Sequence, residues 1–526
     1  MKQHSFTTRL KSLAVVFGIA LAFASCANED VVQNPTKSNE DNDKNLTTFM
    51  AGGETRTTMD YNSGNFYWEK DDYIYVKDDD GVLRKSKNAP TSKVAAFKYK
   101  VPGKFTASSS YKVYYFGKNS SNNQVVIPSA QSQSTPNNTE HFGVSGDYGT
   151  ATATASVGGG AFSFQLEHQA AYLVFHPYTS NTLLQDCYLT KIEVSSDNDI
   201  ASTYTLNAST GTLQSVSTGA EADKEIILST QGSGAYADGF PLNTASDNVA
   251  VNGAYMVIKP GTHTLKVRYW LKYGSTEGTV TKAFKAFNYD VNNYYDIDGN
   301  LNVRDYDGDH YYMWDAQEQY WKGHEWWSAN NDQPVLNSRY NRNYAQGKPD
   351  PRYYSDSYPG YGLSNPATHT PCKGLPNVNE MTWYCMYGNP HWDADELWTT
   401  MGRLYKGGMW FKKKSVLQAE HHYDTERTAV GSIDLRTTSL NESYNTNSSI
   451  NNSSLPAADA NKYFYLPALG NYSSGYLNYV GFSGSYWTST GSPWNDFTAY
   501  CVYFDRSRAK VGGSGRYVGM RVGGFE

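Results

Sequence analysis

Apolar and polar residues alternate in short runs through the N-terminal half of the chain: Tyr73-Ile74-Tyr75-Val76, Ala96-Phe97-Lys98-Tyr99, Tyr111-Lys112-Val113-Tyr114-Tyr115-Phe116 and Val125-Val126-Ile127. Clusters of Gly, Asp, Ser and Asn separate them. A period of two sends successive side chains to opposite faces of a strand, so the spacing predicts a β-sandwich. A polar stretch rich in Thr and Gly, 129–160, is read as the divider from a second β-rich block, 162–303. Strands are predicted there at 171–175, 190–194, 255–258 and 264–270. The pattern changes near 304: of the 12 Trp in the chain, 10 lie beyond that point, which marks a different domain. A helix is predicted after Pro376, where Asn377-Val378-Asn379-Glu380 makes a capping-box start and Met381, Trp383, Tyr384 and Tyr387 follow. The rest of this domain reads as short strands and long aromatic loops.

The N-terminus breaks the alternation. Lys2, Arg9 and Lys11 precede an apolar stretch, 13–24, that ends in small residues before Cys26, which is a secretory signal over residues 1–25. It is too short for a comfortable membrane span, and no other segment reaches about 18 consecutive apolar residues. Phe23-Ala24-Ser25-Cys26 resembles a bacterial lipobox, so Cys26 is the expected lipidation site; the alternative is an ordinary signal peptide with an incidental cysteine. Ala27-Asn28-Glu29-Asp30 is similar to the acidic signal of surface-exported lipoproteins. Residues 26–46, nearly devoid of apolar side chains, form a flexible tether.

Composition narrows the function. The 526 residues suffice for roughly three or four domains, and 39% hydrophobic against 18% charged residues supports packed cores rather than disorder. A net charge of −6 provides no basic field for nucleic acid, so no such partner is expected. Cys187, Cys372, Cys385 and Cys501 contain no Cys-x-x-Cys pair and are read as packing residues or a single bridge.

The first block resembles the fimbrillin family, the lipoprotein subunits of type V pili. The likeness is carried by Thr48-Phe49-Met50-Ala51 with Thr55-Arg56-Thr57, by Tyr67-Trp68-Glu69-Lys70-Asp71-Asp72-Tyr73-Ile74-Tyr75-Val76, and by Ile127-Pro128-Ser129-Ala130-Gln131. Phe164-Gln165-Leu166-Glu167-His168-Gln169-Ala170-Ala171-Tyr172-Leu173 is similar to the family's second-domain opening strand. The resemblance implies two transthyretin-like β-sandwich domains, 47–160 and 161–303. It also implies other pilus subunits as partners, joined by strand complementation, in which one subunit's strand completes an open sheet of its neighbour. Polymerising members are first cleaved after an arginine. Arg56 is the candidate here, although Thr55-Arg56-Thr57 also reads as part of the strand motif.

Residues 304–526 do not resemble pilin. Tyr465-Leu466-Pro467-Ala468, Gly484-Ser485-Tyr486-Trp487-Thr488-Ser489-Thr490, Ala499-Tyr500-Cys501-Val502-Tyr503-Phe504 and Arg516-Tyr517-Val518-Gly519-Met520-Arg521-Val522 resemble C-type-lectin-like domains of bacterial surface proteins. Gly374-Leu375-Pro376-Asn377 fits the same pattern. The expected fold class is therefore mainly β: two transthyretin-like β-sandwich domains followed by an α+β C-type-lectin-like domain. Some domains of this type are variable proteins of diversity-generating retroelements, in which adenine-directed mutagenesis varies exposed C-terminal positions. Asn, Tyr, Ser, Asp and Gly are its expected products and are equally ordinary loop residues.

If Tyr500, Val502 and Phe504 point into the core, alternation sends Cys501, Tyr503 and Asp505 outward. Trp494, Asp496, Phe497, Ser507 and Tyr517 lie on neighbouring loops or strand ends. These eight are the candidate ligand-binding residues, because exposed Tyr and Trp give large contact area at low entropic cost. The competing reading has half of the aromatics packing among themselves. The expected function is a cell-surface adhesin, an accessory or tip subunit of a type V pilus, bound to the outer membrane by its lipid or carried to the pilus tip. A bulky C-terminal domain would occupy the end that ordinary polymerising subunits use, which motivates the tip role. The expected ligand is a host or bacterial surface glycan or protein; the alternative is a stand-alone glycan-binding lipoprotein outside any pilus.

Several other motifs are weighed and set aside. Trp494-Asn495-Asp496 copies the calcium-binding tripeptide of sugar-binding C-type lectins, but the companion Glu-Pro-Asn or Gln-Pro-Asp loop is missing. Asp296-Ile297-Asp298-Gly299-Asn300-Leu301-Asn302, with Asp305-Tyr306-Asp307-Gly308-Asp309, has the oxygen-rich look of a calcium loop without the glycine placement of an EF-hand, and is read as a hairpin turn and domain linker. His391-Trp392-Asp393-Ala394-Asp395-Glu396 is read as a helix start with acids at its positive end. His421-His422 is read as a polar loop or strand pair, and Phe411-Lys412-Lys413-Lys414 as a solvated edge. Formylglycine-generating enzymes share the lectin-like architecture, but Cys372, Cys385 and Cys501 do not reproduce their paired cysteines. No catalysis, metal or cofactor is expected.

Overall fold

The computed structural model describes residues 2–5, 45–52, 58–61, 66–118, 123–156, 159–207, 209–216, 219–438, 444–445 and 450–525. Cys26 and Arg56 lie outside the described residues. Strand accounts for 41% and helix for 8%, so the protein is mainly β, as the alternation predicts. Two compact units emerge: Met1–Thr276 with Lys282–Asn302, and Glu277–Thr281 with Val303–Glu526.

In the first unit every predicted run is a strand, among them Tyr75–Lys77, Phe97–Pro102, Ser110–Tyr115, Ala171–Tyr178, Tyr188–Ser196 and Leu265–Tyr273. One sheet runs in the order Leu83–Lys85, Tyr75–Lys77, Ser110–Tyr115, Gly149–Ala155, Ala161–Phe164, Leu46–Ala51, Phe97–Pro102. It covers a core that contains Phe49, Trp68, Ile74, Tyr99, Val113 and Phe162, each large side chain contributing about 1.5–3 kcal/mol by burial.

The stretch 129–160 is not a divider. Thr150-Ala151-Thr152-Ala153-Thr154 lies in the strand Gly149–Ala155, inside that sheet, with Ala151 and Ala153 buried and Thr152 exposed. Alanine is so weakly apolar that the period of two escapes a hydrophobicity reading. The predicted border at 160/161 does not follow the sheets either. Ala161–Phe164 pairs in parallel with the first block's Leu46–Ala51. Gln124–Ile127 pairs with Ser202–Asn207, and Ala130–Ser132 with Glu225–Ser229, in the second block.

A four-stranded sheet has the order Lys2–Ser5, Asn293–Asn300, Ala171–Tyr178, Ala254–Ile258. The supposed calcium-like turn at 296–300 is thus a strand. Gly299 is needed there because an added Cβ would stand 2.4 Å from the His176 carbonyl oxygen. The other edge, Ala254–Ile258, is closed by side chains. Gln131 accepts from the Val257 N–H (3.0 Å) and donates to the Val257 carbonyl (2.7 Å). Gln133 accepts from the Tyr255 N–H (2.8 Å) and donates to the Gly253 carbonyl (3.0 Å), and His141 Nε2 bonds the Tyr255 carbonyl at 3.0 Å. A glutamine amide offers the same donor and acceptor as a peptide group, so the two side chains substitute for a neighbouring strand.

The second unit mixes helix and strand. Asn377 accepts from the N–H groups of Asn379 and Glu380, Glu380 accepts from the Asn377 N–H, and the predicted capping box starts helix α1, Val378–Tyr387. His391–Thr400, Arg403–Lys412 and Tyr463–Pro467 pair antiparallel. This corrects two expectations. His391 to Glu396 is strand, with Asp393 accepting from the N–H groups of Asp395 and Glu396 at a bulge and from the Trp410 indole at 3.2 Å. Phe411 is fully buried on the middle strand, and Lys412 and Lys414 pair with Glu420 and Glu380, so that run is no edge. His421-His422 does form a loop, with the His422 ring stacked on Tyr387.

Six further strands build the C-terminal part: β1 Asn471–Ser473, β2 Tyr476–Asn478, β3 Ser483–Gly491, β4 Thr498–Asp505, β5 Arg508–Gly515 and β6 Met520–Arg521. The sheet order is Tyr311–Tyr312, β6, β3, β4, β5, Tyr444–Asn445, while β1 and β2 form a separate hairpin.

Candidate functional site

In the register of β3, β4 and β5, Ser485 lies opposite Tyr503 and Tyr503 opposite Lys510; Trp487 lies opposite Cys501 and Cys501 opposite Gly512. Tyr486, Val502, Phe504, Ala509 and Val511 fill one face and join the core that holds Tyr384, Met409 and Phe411. On the opposite face Trp487, Ala499 and Cys501 pack with Trp314, Cys372, Val518 and Met520. No described residue covers the remainder of that face. It forms a groove of about 430 Å³, with Tyr503, Lys510, Gly512, Gly513 and Ser514 along the sheet.

The β1–β2 hairpin supplies the facing wall. Alternation turns Asn471 and Ser473 to the groove, while Tyr472 between them is fully buried against Tyr311 and Tyr320 and donates its hydroxyl to the Pro334 carbonyl (2.6 Å). That anchor fixes the hairpin. Gly475, at φ +81°, makes its turn; a Cβ there would meet the Asn341 carbonyl oxygen at 2.2 Å. Asn478 and the largely exposed Tyr479 complete the wall.

The groove is electrostatically one-sided. Lys510 contributes the cation and no lining residue is acidic. Arg508 is neutralised nearby by Asp505 at 3.2 Å. Burial opposes ionisation of Asp505, but hydrogen bonds from the Ser507 hydroxyl and N–H and from the Tyr503 hydroxyl, with the Arg508 charge, hold its carboxyl below the usual carboxylate range. Burial pushes the Cys501 thiol up to about 12, against the pull of Lys510. Cys187 and Cys372 are pushed up to about 11 and about 12, and Cys385 also rises, all through burial first. All four are buried free thiols, protonated at neutral pH and closed to nucleophilic chemistry.

Of the eight predicted ligand residues, the structure brings Cys501 and Tyr503 into the groove. Cys501 is buried at the floor rather than exposed, because Trp487, Val518 and Met520 cover it. Asp505 and Ser507 sit at the β4–β5 turn, bonded to each other at 2.6 Å. Trp494, Asp496, Phe497 and Tyr517 lie at the other end of these strands. Phe497, Asp496 and Tyr517 are exposed, and Trp494 meets Tyr361 edge to face at 5.4 Å. In the Trp494-Asn495-Asp496 tripeptide the Asn495 oxygen is already occupied by the N–H groups of Phe497 and Thr498 and the Thr498 hydroxyl. Asp307, Asp309 and His310 form the cluster that could reach a cation among the described residues, with His310 Nδ1 at 2.5 Å from the Asp309 carboxylate.

This loop end is framed by Arg516. Its side chain is fully buried, with the guanidinium 4.4 Å from the Trp314 ring centroid. Nη1 donates to the carbonyls of Ser355 (2.7 Å) and Ser357 (3.0 Å), and Nε to that of Thr498 (3.0 Å). Burial pushes its pKa down to about 10 while Asp496 pulls it up.

Asn471, Ser473, Asn478, Tyr479, Lys510 and Gly512 were not anticipated. The available signal was Lys510-Val511-Gly512-Gly513-Ser514, a strand pattern whose outward positions are polar or absent.

No family model and no curated protein matches the chain. The likenesses are to solved structures. A candidate cell adhesion protein from Bacteroides ovatus is 12% identical and covers 48% of this chain and 93% of its own, with a TM-score of 0.29. A fimbrial protein from the same organism is 12% identical over 90% of this chain and 98% of its own, with a TM-score of 0.22. The fimbrial anchor protein Mfa2 from Porphyromonas gingivalis is 13% identical over 43% and 78%, with a TM-score of 0.21. Scores this low assign no function, and the reading below stands on the groove.

Proposed function

We propose that the protein is a cell-surface adhesin, an accessory or tip subunit of a type V pilus, that binds its ligand in the C-terminal groove. The observation that carries this reading is the half-covered sheet: one face of β3–β5 is packed and the other keeps a polar, cation-bearing groove beside exposed aromatics. Concave sites with a few placed polar groups are where ligands bind. The fimbrillin resemblance of the first part of the sequence supplies the pilus context and the lectin-like resemblance of the C-terminal part the binding role, with Cys26 as the lipid anchor at the outer membrane; Arg56 is a candidate for processing that also reads as part of the strand motif.

Strand complementation with other subunits has a matching edge. Among the described residues Asn293–Asn300 is paired outward by Lys2–Ser5, so removal of a leader over residues 1–25 would present it to a partner strand. The Ala254–Ile258 edge, closed by Gln131, Gln133 and His141, is unavailable. The lectin-like resemblance also brings targeted variation, which would fall on the groove and loop positions of 494–517. A near-copy of the last part of the gene, differing mainly at adenines and lying beside a reverse-transcriptase gene, is the expected genomic signature.

Immunogold microscopy of the native bacterium with antibody to residues 304–526 tests the assignment. Gold at filament ends is expected. Regular labelling along shafts would remove the tip role, and gold scattered away from filaments would favour the stand-alone glycan-binding lipoprotein.

A further inference from the structure

Two glycines side by side in a strand call for a cause. Neither Gly512 nor Gly513 has a left-handed φ, and a Cβ at either would meet nothing within 4 Å. Backbone geometry and packing therefore do not require them, although glycine weakens a strand. What they do is keep the groove floor flush with the backbone. Around that floor four polar side chains lack a hydrogen-bond partner among the described residues, whereas Tyr503 and Asn478 have one. Ser485 is only 2% exposed, lines the groove, and receives no side-chain hydrogen bond from any described residue; the side chains of Asn471, Ser473 and Ser514 are likewise unpartnered within the described residues. Ser485 is the buried one of the four, while Asn471, Ser473 and Ser514 are half-buried, so their polar atoms are free to bond water or a ligand in the groove.

The chemistry of the lining limits that ligand. Short amides and hydroxyls offer many neutral hydrogen bonds at fixed reach and match a polyol. The exposed ring of Tyr479, 60% accessible, offers an apolar face to the C–H side of a sugar ring. Lys510 forms no ion pair with any described residue, and its ammonium shares the groove with Tyr503 at 5.7 Å from the ring centroid. A volume of about 430 Å³ lies within the usual range of small-ligand sites, about 300–1,000 Å³.

We infer that the groove takes a saccharide carrying an anionic group, carboxylate or sulfate, with the sugar ring against Tyr479, its hydroxyls on the Asn471, Ser473, Ser485 and Ser514 side chains, and its charge at Lys510. The inference rests on the reading of this groove as the adhesive site.

The test is calorimetric titration of the purified protein with lactose, 3′-sialyllactose and 3′-sulfated lactose, alongside attachment of the protein to host cells. At least one acidic sugar binds about tenfold or more tighter than lactose, as a hydrogen bond to a charged group provides. Preference for the sialylated or the sulfated form identifies the source of the charge. K510Q erases the difference, K510R retains it, and G512F, which melts as the wild type does, abolishes sugar binding. Equal affinity for lactose and both acidic forms overturns the anionic requirement. If no sugar binds yet cell attachment is lost in G512F, the saccharide assignment fails while the groove stands as the adhesive site. Attachment that survives in G512F overturns the proposed function itself.

Discussion

Two sheet boundaries treat their polar groups in opposite ways. Along Ala254–Ile258 the outward peptide groups of Gly253, Tyr255 and Val257 are met by Gln131, Gln133 and His141. Across the groove of β3–β5 the side chains of Ser485 and Ser514 have no hydrogen-bond partner, and Lys510 no ion-pair partner, among the described residues, the Lys510 ammonium lying 5.7 Å from the Tyr503 ring centroid. Both regions could hydrogen-bond a second molecule. The first spends side chains to prevent it, and the second leaves them unspent. An unmet polar group costs free energy when it is buried dry, so the first boundary is closed by folding, while the half-buried Ser514 and Lys510 at the second remain free to bond water or a ligand.

The contrast can be broken from the closed side first. Replacing Gln131 and Gln133 together by Ala strands four buried peptide hydrogen bonds, and about 4 kcal/mol or more of stability should be lost in chemical denaturation. A loss below about 1 kcal/mol would mean that water already reaches this edge. Next in size is the effect of acid on His141. Burial pushes its pKa down to about 4, against the hydrogen bond to Tyr255, whereas the unfolded imidazole titrates near 6.5. Between these values the unfolded chain binds the extra proton. The contribution present above pH 6.5 therefore declines as pH falls toward 4, by about 3 kcal/mol in all, and His141→Gln should flatten that segment of the stability profile.

Smaller changes sharpen the open side. Tyr503→Phe removes the hydroxyl that Asp505 accepts at 3.0 Å and should cost about 1 kcal/mol, with the Asp505 carboxyl titrating higher by NMR. Ser485→Ala and Ser514→Ala should leave stability within about 0.5 kcal/mol, since no protein partner is lost, while lowering ligand affinity. A large stability loss in either variant would reveal a structural role and weaken the groove's assignment.

Strand positions were legible wherever the inward residues were strongly apolar, as at Tyr111, Val113 and Tyr115. They were illegible where alanine did the packing, as at Ala151 and Ala153. The capping box at Asn377 and Glu380 was readable because both its partners are local. His391 to Glu396 was misread because its acids are satisfied by Trp410, Lys406 and Thr281, residues distant in sequence. In the candidate site, alternation alone placed Cys501 and Tyr503 on the groove face. It could not show that Trp487 and Met520 cover Cys501, or that the 471–479 segment folds over to form the wall. Those are tertiary facts, and single-sequence periodicity carries only which face a residue takes.

The Arg516 clamp has a consequence for evolution. It grips Ser355, Ser357 and Thr498 through their carbonyl oxygens alone, so it is blind to which amino acids those loops carry. Exchanging side chains there leaves all three hydrogen bonds in place. The segments beside Trp494 and Phe497 are thus held by a mount that does not depend on their side chains, so substitutions there should leave the frame around Arg516 intact.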